Sequence, residues 1–294
     1  MLELTNITHR YPGAETPALQ GIDLQLQAGQ CLGLLGSNGA GKTTLLSLLA
    51  GVLPLQQGEI RWDGERSLGL VPQQLAFYAE LKVRENLELF ADLYRLRGAE
   101  RARRLELCIA STSLESKLQR RAGRLSGGEQ RRLNFAIGLL QPARLYLFDE
   151  ATVGVDASSR QRLLDAVEQL TAEGHAVIYT SHYLDEVERV AQRILLLHQG
   201  HVRLDLDSRQ LLGDDHGLLL EWQGEEPAGL RELLGKLHLN AEALPRGLRI
   251  ASLNGPQLLE ITRFLAERPE LPHLLRFGRP SLEQLYLRLN GGRL

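Results

Sequence analysis

A glycine-rich segment restricts the possible folds of this chain more than any other feature. It follows the apolar run 30–35 and precedes the helical pattern 43–50, for which Gly51 is the predicted stop. A strand, a glycine loop and a helix in this order predict an α/β fold. The segment fits the pattern G-x-x-x-x-G-K-[ST] and consists of Gly36, Ser37, Asn38, Gly39, Ala40, Gly41, Lys42, Thr43 and Thr44.

The residue types in this segment predict a binding site for a nucleoside triphosphate. Glycines let successive backbone N–H groups turn inward around phosphate oxygens, and the N-terminus of the following helix adds positive partial charge. We expect Lys42 to reach the β- and γ-phosphates and the Thr43 hydroxyl to bind Mg²⁺. An ordinary glycine turn is the alternative, and the loop alone leaves an ATPase, a GTPase and a small kinase open.

A second apolar run, 144–148, ends in Asp149 and Glu150. Its composition predicts a strand buried on both faces. A carboxylate at a strand end beside the glycine loop can hold Mg²⁺ through water, and we assign this position to Asp149. Glu150 then stands where a base polarises the attacking water. Alone, the pair would be a solvated strand end, but the upstream glycine loop favours the catalytic interpretation.

Apolar periodicity divides the chain into a core, an insertion and a C-terminal region. Residues 83–140 carry helical spacing without strand-like runs, which predicts a helical subdomain inserted in an α/β core. A charged stretch near 205–215 marks a predicted boundary, so that 1–205 form one domain and 206–294 a small α/β domain. The predicted strands cover 2–8, 22–26, 30–35, 60–62, 68–71, 144–148, 175–180, 194–197 and stretches near 217–222, 247–252 and 273–277; further predicted helices cover 158–173, 184–191 and stretches near 228–237, 256–267 and 281–289.

Composition excludes several classes of protein. The 294-residue chain is 43% hydrophobic and has a formal net charge of −2, which lacks the basic footprint of a dedicated nucleic-acid binder. Cys31 and Cys108 are interpreted as buried apolar residues in a reducing compartment. The N-terminal residues show no secretion signal, and no uncharged apolar run approaches the roughly 18 residues of a membrane span. These features predict a soluble, cytoplasmic chain that reaches a membrane only through a partner.

The segment Leu-Ser-Gly-Gly-Glu-Gln at 125–130 narrows the family. A serine followed by two glycines at a helix start is a second anion-binding arrangement, although such a triplet alone is more often a plain helix cap. The segment resembles the LSGGQ or LSGGE signature of the ATP-binding-cassette (ABC) family. The resemblance covers residues 1–205, and further matches stand in family order: Tyr11, where the family stacks an aromatic ring on adenine, Gln73 in the Gln loop, Asp156 in the Asp loop, and the switch histidine His182.

The resemblance implies a P-loop NTPase ABC cassette with a mixed-sheet core, an inserted helical subdomain, and ATP and Mg²⁺ as cofactors. Two cassettes pair head to tail in that family, with ATP between the glycine loop of one and the serine–glycine segment of the other. For this chain it implies nucleotide contacts by Tyr11, residues 36–44, Gln73, Ser126, Gly127 and Gly128, catalysis by Glu150, His182 and Lys42, and a metal site formed by Thr43, Gln73 and Asp149.

Single residues in this set have simpler interpretations when taken alone. Tyr11 would be a loop anchor, Gln73 a polar surface residue and His182 a structural residue. Gln74 is an alternative to Gln73 as the glutamine of the Gln loop. Their order relative to the glycine loop favours the functional interpretation. Two positions depart from the family pattern: Ala151 replaces the usual Pro and Phe148 the usual Leu, and neither change removes a reacting group.

Several stretches look like the exporter-type branch of stand-alone ABC ATPases, namely 83–91, 151–156, 181–188 and the ending from Pro280. That branch pairs with a separate transmembrane permease, so the resemblance implies an ATPase subunit on the cytoplasmic face of a membrane. It permits a homodimer or a heterodimer of cassettes. The extension 206–294 is interpreted as regulatory, as an aid to dimerisation, or as a passive appendage.

The sequence argues against two rival functions. A soluble ABC ATPase acting on a non-transport partner, such as nucleic acid or ribosomes, usually has two cassettes or long coiled coils, and this chain has neither pattern. Intact Lys42, Glu150 and His182 argue against a binding module without catalysis.

An arginine-rich region has two interpretations. It faces solvent, with its charge partly balanced by Glu100, Glu106 and Glu115, or it faces lipid head groups and a permease. The region comprises Arg95, Arg97, Arg101, Arg103, Arg104, Arg120, Arg121 and Arg124.

Overall fold

The computed structural model describes residues 1–208 and 216–278 together with Leu282. The chain divides into two compact units, Met1–Ser208 and Arg209–Leu294. The strands of the first unit are β1 (Leu2–His9), β2 (Leu19–Leu26), β3 (Cys31–Leu35), β4 (Gln57–Trp62), β5 (Leu68–Val71), β6 (Leu145–Asp149), β7 (Ala176–Thr180), β8 (Arg193–His198) and β9 (His201–Asp207). Its helices are α1 (Lys42–Ala50), α2 (Val83–Leu93), α3 (Gly98–Thr112), α4 (Gly127–Leu140), α5 (Ala157–Ala172) and α6 (Leu184–Val190).

Two sheets build the first unit. The larger has the order β5-β6-β7-β3-β8-β9, in which β9 runs antiparallel to β8 and the other pairs are parallel. The smaller is antiparallel, with the order β2-β1-β4. Every residue of β3, β6 and β7 is buried, as continuous apolar runs in a covered parallel sheet require. The mixed-sheet α/β class is thereby confirmed.

The parallel order brings the carboxyl ends of three strands to one edge. β6 lies beside β7 and β7 beside β3, so the ends of these strands precede the segments that begin at Glu150, Ser181 and Gly36. Ligand sites of open α/β sheets lie at such strand ends. Helices α2, α3 and α4 lie between β5 and β6 in the sequence, as the helical spacing of 83–140 predicts.

The second unit is a small α/β arrangement. It contains β10 (Gly217–Glu221), β11 (Ala241–Leu244), β12 (Gly247–Ile250), β13 (Leu274–Gly278), α7 (Leu230–Lys236) and α8 (Gly255–Ala266). Its antiparallel sheet has the order β11-β12-β10-β13. Leu218 and Leu220 of β10 pack with Leu230, Leu234 and Ile261 in a core of this unit.

The sequence patterns missed two strands. β9 and β11 were not expected, because β9 reads His-Val-Arg-Leu-Asp-Leu-Asp, with charges at alternate positions, and β11 has only four residues. The helix predicted at 281–289 lies outside the described residues, apart from Leu282. Both cysteines are buried, as predicted, and burial raises the pKa of both thiols, that of Cys108 to about 12. Within the described ranges, no helix has the length and apolar content to cross a membrane.

Candidate nucleotide site

The glycine loop turns where only glycine fits. Gly36 has φ 154° and Gly41 has φ 109°, both in the region that side chains avoid. A Cβ on Gly36 would lie 2.5 Å from the Leu197 carbonyl oxygen, and one on Gly41 would lie 2.6 Å from that of Ala18. The loop therefore packs against neighbouring backbone at Gly36 and Gly41, and a side chain fits at neither position.

Lys42 is the first residue of α1 and is 8% exposed. Its Nζ donates to the carbonyl oxygens of Gly36 at 2.7 Å and Ser37 at 3.2 Å. Burial lowers the pKa of Lys42, while the charges of Glu150 and Asp149 act in the opposite direction. The ammonium thus lies folded over the loop, at the start of the helix where phosphate would bind.

Thr43 and Asp149 form an oxygen-rich pair beside the loop. The Thr43 hydroxyl donates to Asp149 Oδ2 at 3.0 Å, and the Thr180 hydroxyl donates to Asp149 Oδ1 at 2.9 Å. Asp149 lies at the end of β6 opposite Thr180 at the end of β7. A hydroxyl and a carboxylate are ligand types that Mg²⁺ prefers, so these residues fit the predicted ion.

Glu150 has two polar partners at the pocket. Gln73 Nε2 donates to its Oε2 at 2.8 Å, and His182 Nε2 lies 2.8 Å from its Oε1. Its backbone has φ 51°, and its N–H donates to Thr180 Oγ1 at 3.0 Å. A non-glycine residue holds such a φ only where its surroundings enforce it. The carboxylate is thereby aimed at the space above the glycine loop.

Most of these residues line one pocket of about 430 Å³, but Gly36, Ser37 and Asp149 are not part of its lining. Tyr11 borders it, 42% exposed, with its hydroxyl 3.2 Å from Thr44 Oγ1 and its ring edge-on to His9. Of the residues predicted from the sequence, those lining the pocket are Tyr11, Asn38, Gly39, Ala40, Gly41, Lys42, Thr43, Thr44, Gln73, Glu150 and His182.

The serine–glycine segment lies elsewhere. Ser126, Gly127 and Gly128 are all described, and none of them lines this pocket. Ser126 caps α4, where its Oγ accepts from Glu129 N at 3.3 Å while its own N–H donates to Glu129 Oε2 at 2.8 Å. A Cβ on Gly128 would lie 2.9 Å from the Gly154 carbonyl oxygen, so the start of α4 packs on the Asp loop.

Three residues outside the sequence motifs support the site. Thr180 holds both Asp149 and the backbone of Glu150. The Asn134 side chain on α4 accepts a hydrogen bond from Ala76 N at 2.8 Å and donates one to the Pro72 carbonyl oxygen at 3.0 Å. The Arg131 guanidinium donates to the carbonyl oxygen of Gln73. Parallel alignment of the 144–148 and 175–180 runs would have pointed to Thr180. Only tertiary packing reveals the other two.

Comparison with known proteins agrees with this geometry. A family model described as ABC transporter matches residues 19–153. The linearmycin resistance ATP-binding protein LnrL of Bacillus subtilis (strain 168) is 34% identical over 99% of this chain and 98% of its own length. The Nod factor export ATP-binding protein I of Burkholderia thailandensis is 31% identical over 93% of this chain and 92% of its own length.

Solved structures carry the same fold. A structure of the ATP-binding subunit of an ABC transporter has a TM-score of 0.67 and 26% identity, covering 72% of this chain and 91% of that one. A dimeric cassette in a post-hydrolysis state, bound to ADP and Pi, has a TM-score of 0.65 and 25% identity, covering 71% and 99%. With its glycine loop, carboxylate pair and full-length relatives, this chain belongs to the ATP-binding proteins of ABC transporters, of the exporter type, and it binds and hydrolyses ATP.

Proposed function

We propose that each ATP binds at the interface between two copies of the cassette. There it contacts residues 36–44 of one copy and residues 126–128 of the other. One observation carries this proposal: the pocket gathers Tyr11, Lys42, Glu150 and His182, whereas the capped start of α4 lies outside it. The N-terminus of α4 begins at the exposed Gly127, and such a helix end is an anion site that a second chain can use. The dimeric form of a similar solved cassette supports the arrangement.

The glycine loop and its neighbours bind the nucleotide in this proposal. Lys42 transfers its hydrogen bonds from the loop carbonyls to the β- and γ-phosphates, and the loop N–H groups hold the phosphate oxygens. Thr43 and Asp149 would hold Mg²⁺, with Gln73 beside them, and the ion would offset the charge of the triphosphate. The half-exposed ring of Tyr11 stacks on adenine.

Glu150 is the proposed general base. It polarises the attacking water, and His182 at 2.8 Å orients the carboxylate and meets the γ-phosphate. Gln73 at 2.8 Å on the other oxygen reports the state of the site to a partner. ATP then joins two cassettes, and its hydrolysis separates them, because neither copy alone has a complete site.

The proposed partner is a separate transmembrane permease, with the cassette on the cytoplasmic face and movement of cargo outward. The export and resistance functions in the names of the relatives support this direction. We further propose that residues 1–205 act as the nucleotide-binding domain, with 83–140 as its helical part, and 206–294 as an accessory domain. The intact motifs fit a homodimer as well as a heterodimer.

The test compares Glu150→Gln with Glu80→Gln. Glutamine keeps the shape of Glu150 but cannot accept a proton, so we expect turnover to fall at least about a hundredfold, in the range typical of general-base removal. ATP should still bind and should hold two copies together, which sedimentation detects. Glu80 serves as the control because its side chain is 90% exposed. Wild-type phosphate release by Glu150→Gln would remove Glu150 from the role of base.

A further inference from the structure

A buried carboxylate lies outside the nucleotide pocket and joins the segments around it. Glu186 of α6 is 1% exposed and does not line the pocket. Its Oε2 accepts hydrogen bonds from the Thr152 hydroxyl at 2.7 Å, the Tyr179 hydroxyl at 2.9 Å and the Ser181 hydroxyl at 2.6 Å. Because a buried carboxylate is costly unless it is hydrogen-bonded and paired, these donors are held firmly around it.

Two of the three donors belong to the segments that carry Glu150 and His182. Thr152 stands two residues after Glu150, in the turn that leads to the Asp loop. Ser181 immediately precedes His182, and its Oγ also accepts from Tyr183 N at 3.0 Å. Glu186 therefore fixes the backbone on both sides of His182 and just beyond Glu150.

Arg160 of α5 joins the same two segments a second time. Its Nε lies 3.4 Å from Glu186 Oε1, and its Nη2 donates to the Val155 carbonyl oxygen at 3.3 Å. Its guanidinium carbon lies 4.3 Å from the ring centroid of Tyr183. The cation thus offsets the charge of Glu186 while holding the Asp loop and the residue after His182.

We propose that Glu186, supported by Arg160, is a positioning residue that fixes the Glu150 and His182 segments relative to each other. This inference rests on the roles proposed above for Glu150 and His182. The contact between His182 Nε2 and Glu150 Oε1 joins side chains from two different segments, so it depends on the distance between their backbones. Glu186 sets that distance by binding one hydroxyl from each segment.

The third donor supplies a matched control. Tyr179→Phe removes one hydroxyl from the same carboxylate oxygen, together with its long 3.4 Å contact with Thr152 Oγ1. Tyr179 lies within β7, and its replacement leaves the hydrogen bonds of Thr152 and Ser181 to Glu186 in place. Thr152→Val and Ser181→Ala each remove one hydroxyl that anchors a catalytic segment. All three side chains are buried, so the three variants should lose thermal stability to a similar degree.

The kinetic effects should separate the variants. We expect Thr152→Val and Ser181→Ala to lower kcat about tenfold or more, because small displacements of reacting groups from the productive geometry raise the activation barrier. The KM for ATP should stay within about twofold, since nucleotide binding is untouched. Tyr179→Phe should keep kcat within about twofold of wild type, and Thr152→Ser should restore the rate because it returns the hydroxyl.

Two outcomes overturn different conclusions. If all three variants lower kcat in step with their melting temperatures, Glu186 is merely structural and the inference is wrong. If instead Glu150→Gln retains turnover, the proposed base is wrong, whatever the Thr152 and Ser181 variants do. A selective loss in Thr152→Val and Ser181→Ala, together with an inactive Glu150→Gln, supports both.

Discussion

At the scale of single residues, Glu129 orders the start of α4, the surface proposed to meet ATP on a second copy. Its carboxylate closes the capping box with Ser126 and lies 2.8 Å from Lys117 Nζ. The hydrogen bond from Lys117, with that from the Ser126 N–H, lowers the pKa of Glu129 to about 2. The charge therefore orders the first turn of α4 without facing the pocket.

This pairing predicts a pH-dependent contribution to stability. A carboxyl whose pKa falls on folding stabilises the native state above its unfolded pKa of about 4.3, and this stabilisation is lost as pH falls toward about 2. Glu129→Gln keeps the shape but not the charge. We expect it to melt below wild type at pH 7, and the difference in melting temperature should shrink by pH 3.5. A difference that grows on acidification would contradict this assignment.

At the scale of elements, the first turn of α4 has one glycine with space for a side chain, Gly127, and one without it, Gly128. No atom of the described residues lies within 4 Å of a Cβ on Gly127, whereas a Cβ on Gly128 would meet the Gly154 carbonyl oxygen at 2.9 Å. Gly128 is required by the fold of this copy. The glycine at 127 has no such intramolecular reason, which agrees with a requirement set by a second copy and its ATP.

Gly127→Asp tests that reason. An aspartate in the first turn of a helix is favourable by about 0.3–1 kcal/mol, so the variant should fold with wild-type stability. In the proposed dimer the carboxylate would face the phosphates of ATP on the other copy, and turnover should fall sharply. Gly127→Asn, nearly identical in size but uncharged, is the matched control and should retain more activity. Full ATPase activity in Gly127→Asp would exclude 126–128 from the site.

At the scale of the whole molecule, the proposed pairing makes the cassette half of an active assembly. The pocket is lined by most of the glycine loop, by the proposed base Glu150 and by His182, whereas Ser126, Gly127 and Gly128, all of them described, do not line it. Two defects on opposite sides of a shared site should therefore complement each other, whereas two defects within one side should not.

Mixing Lys42→Ala with Gly127→Asp tests this directly. Each variant alone should be nearly inactive, because every site in its dimer is damaged. Random mixing at equal amounts should restore about a quarter of the wild-type rate, because half of the dimers then carry one complete site out of two. Mixing Lys42→Ala with Glu150→Gln should restore nothing, since each complete site needs both residues from one copy. Equal activity in the two mixtures would contradict head-to-tail pairing.

Local patterns in the sequence determined the α/β class, the insertion of α2, α3 and α4, and the residues of the phosphate loop. The α/β class is confirmed, and all of these features could be predicted because each depends on neighbours along the chain: alternation, helical spacing and glycine positions. The roles proposed for Asp149 and Glu150 rest on carboxylates at the end of β6, and those proposed for Lys42 and Thr43 rest on a helix start that follows the glycine loop. The structure then placed Gln73 and His182 on opposite oxygens of Glu150.

Tertiary structure alone decided what holds those groups in place. Thr180 lies 31 residues from Asp149 in sequence, and Glu186 lies 34 from Thr152, yet both pairs are within hydrogen-bond distance. Gly36 and Gly41 are likewise fixed by the carbonyl oxygens of Leu197 and Ala18. Such contacts arise from the order in which strands and helices pack, and a pattern read along the chain does not contain that order. The sequence thus predicted the reacting groups, and packing set the geometry of their side chains.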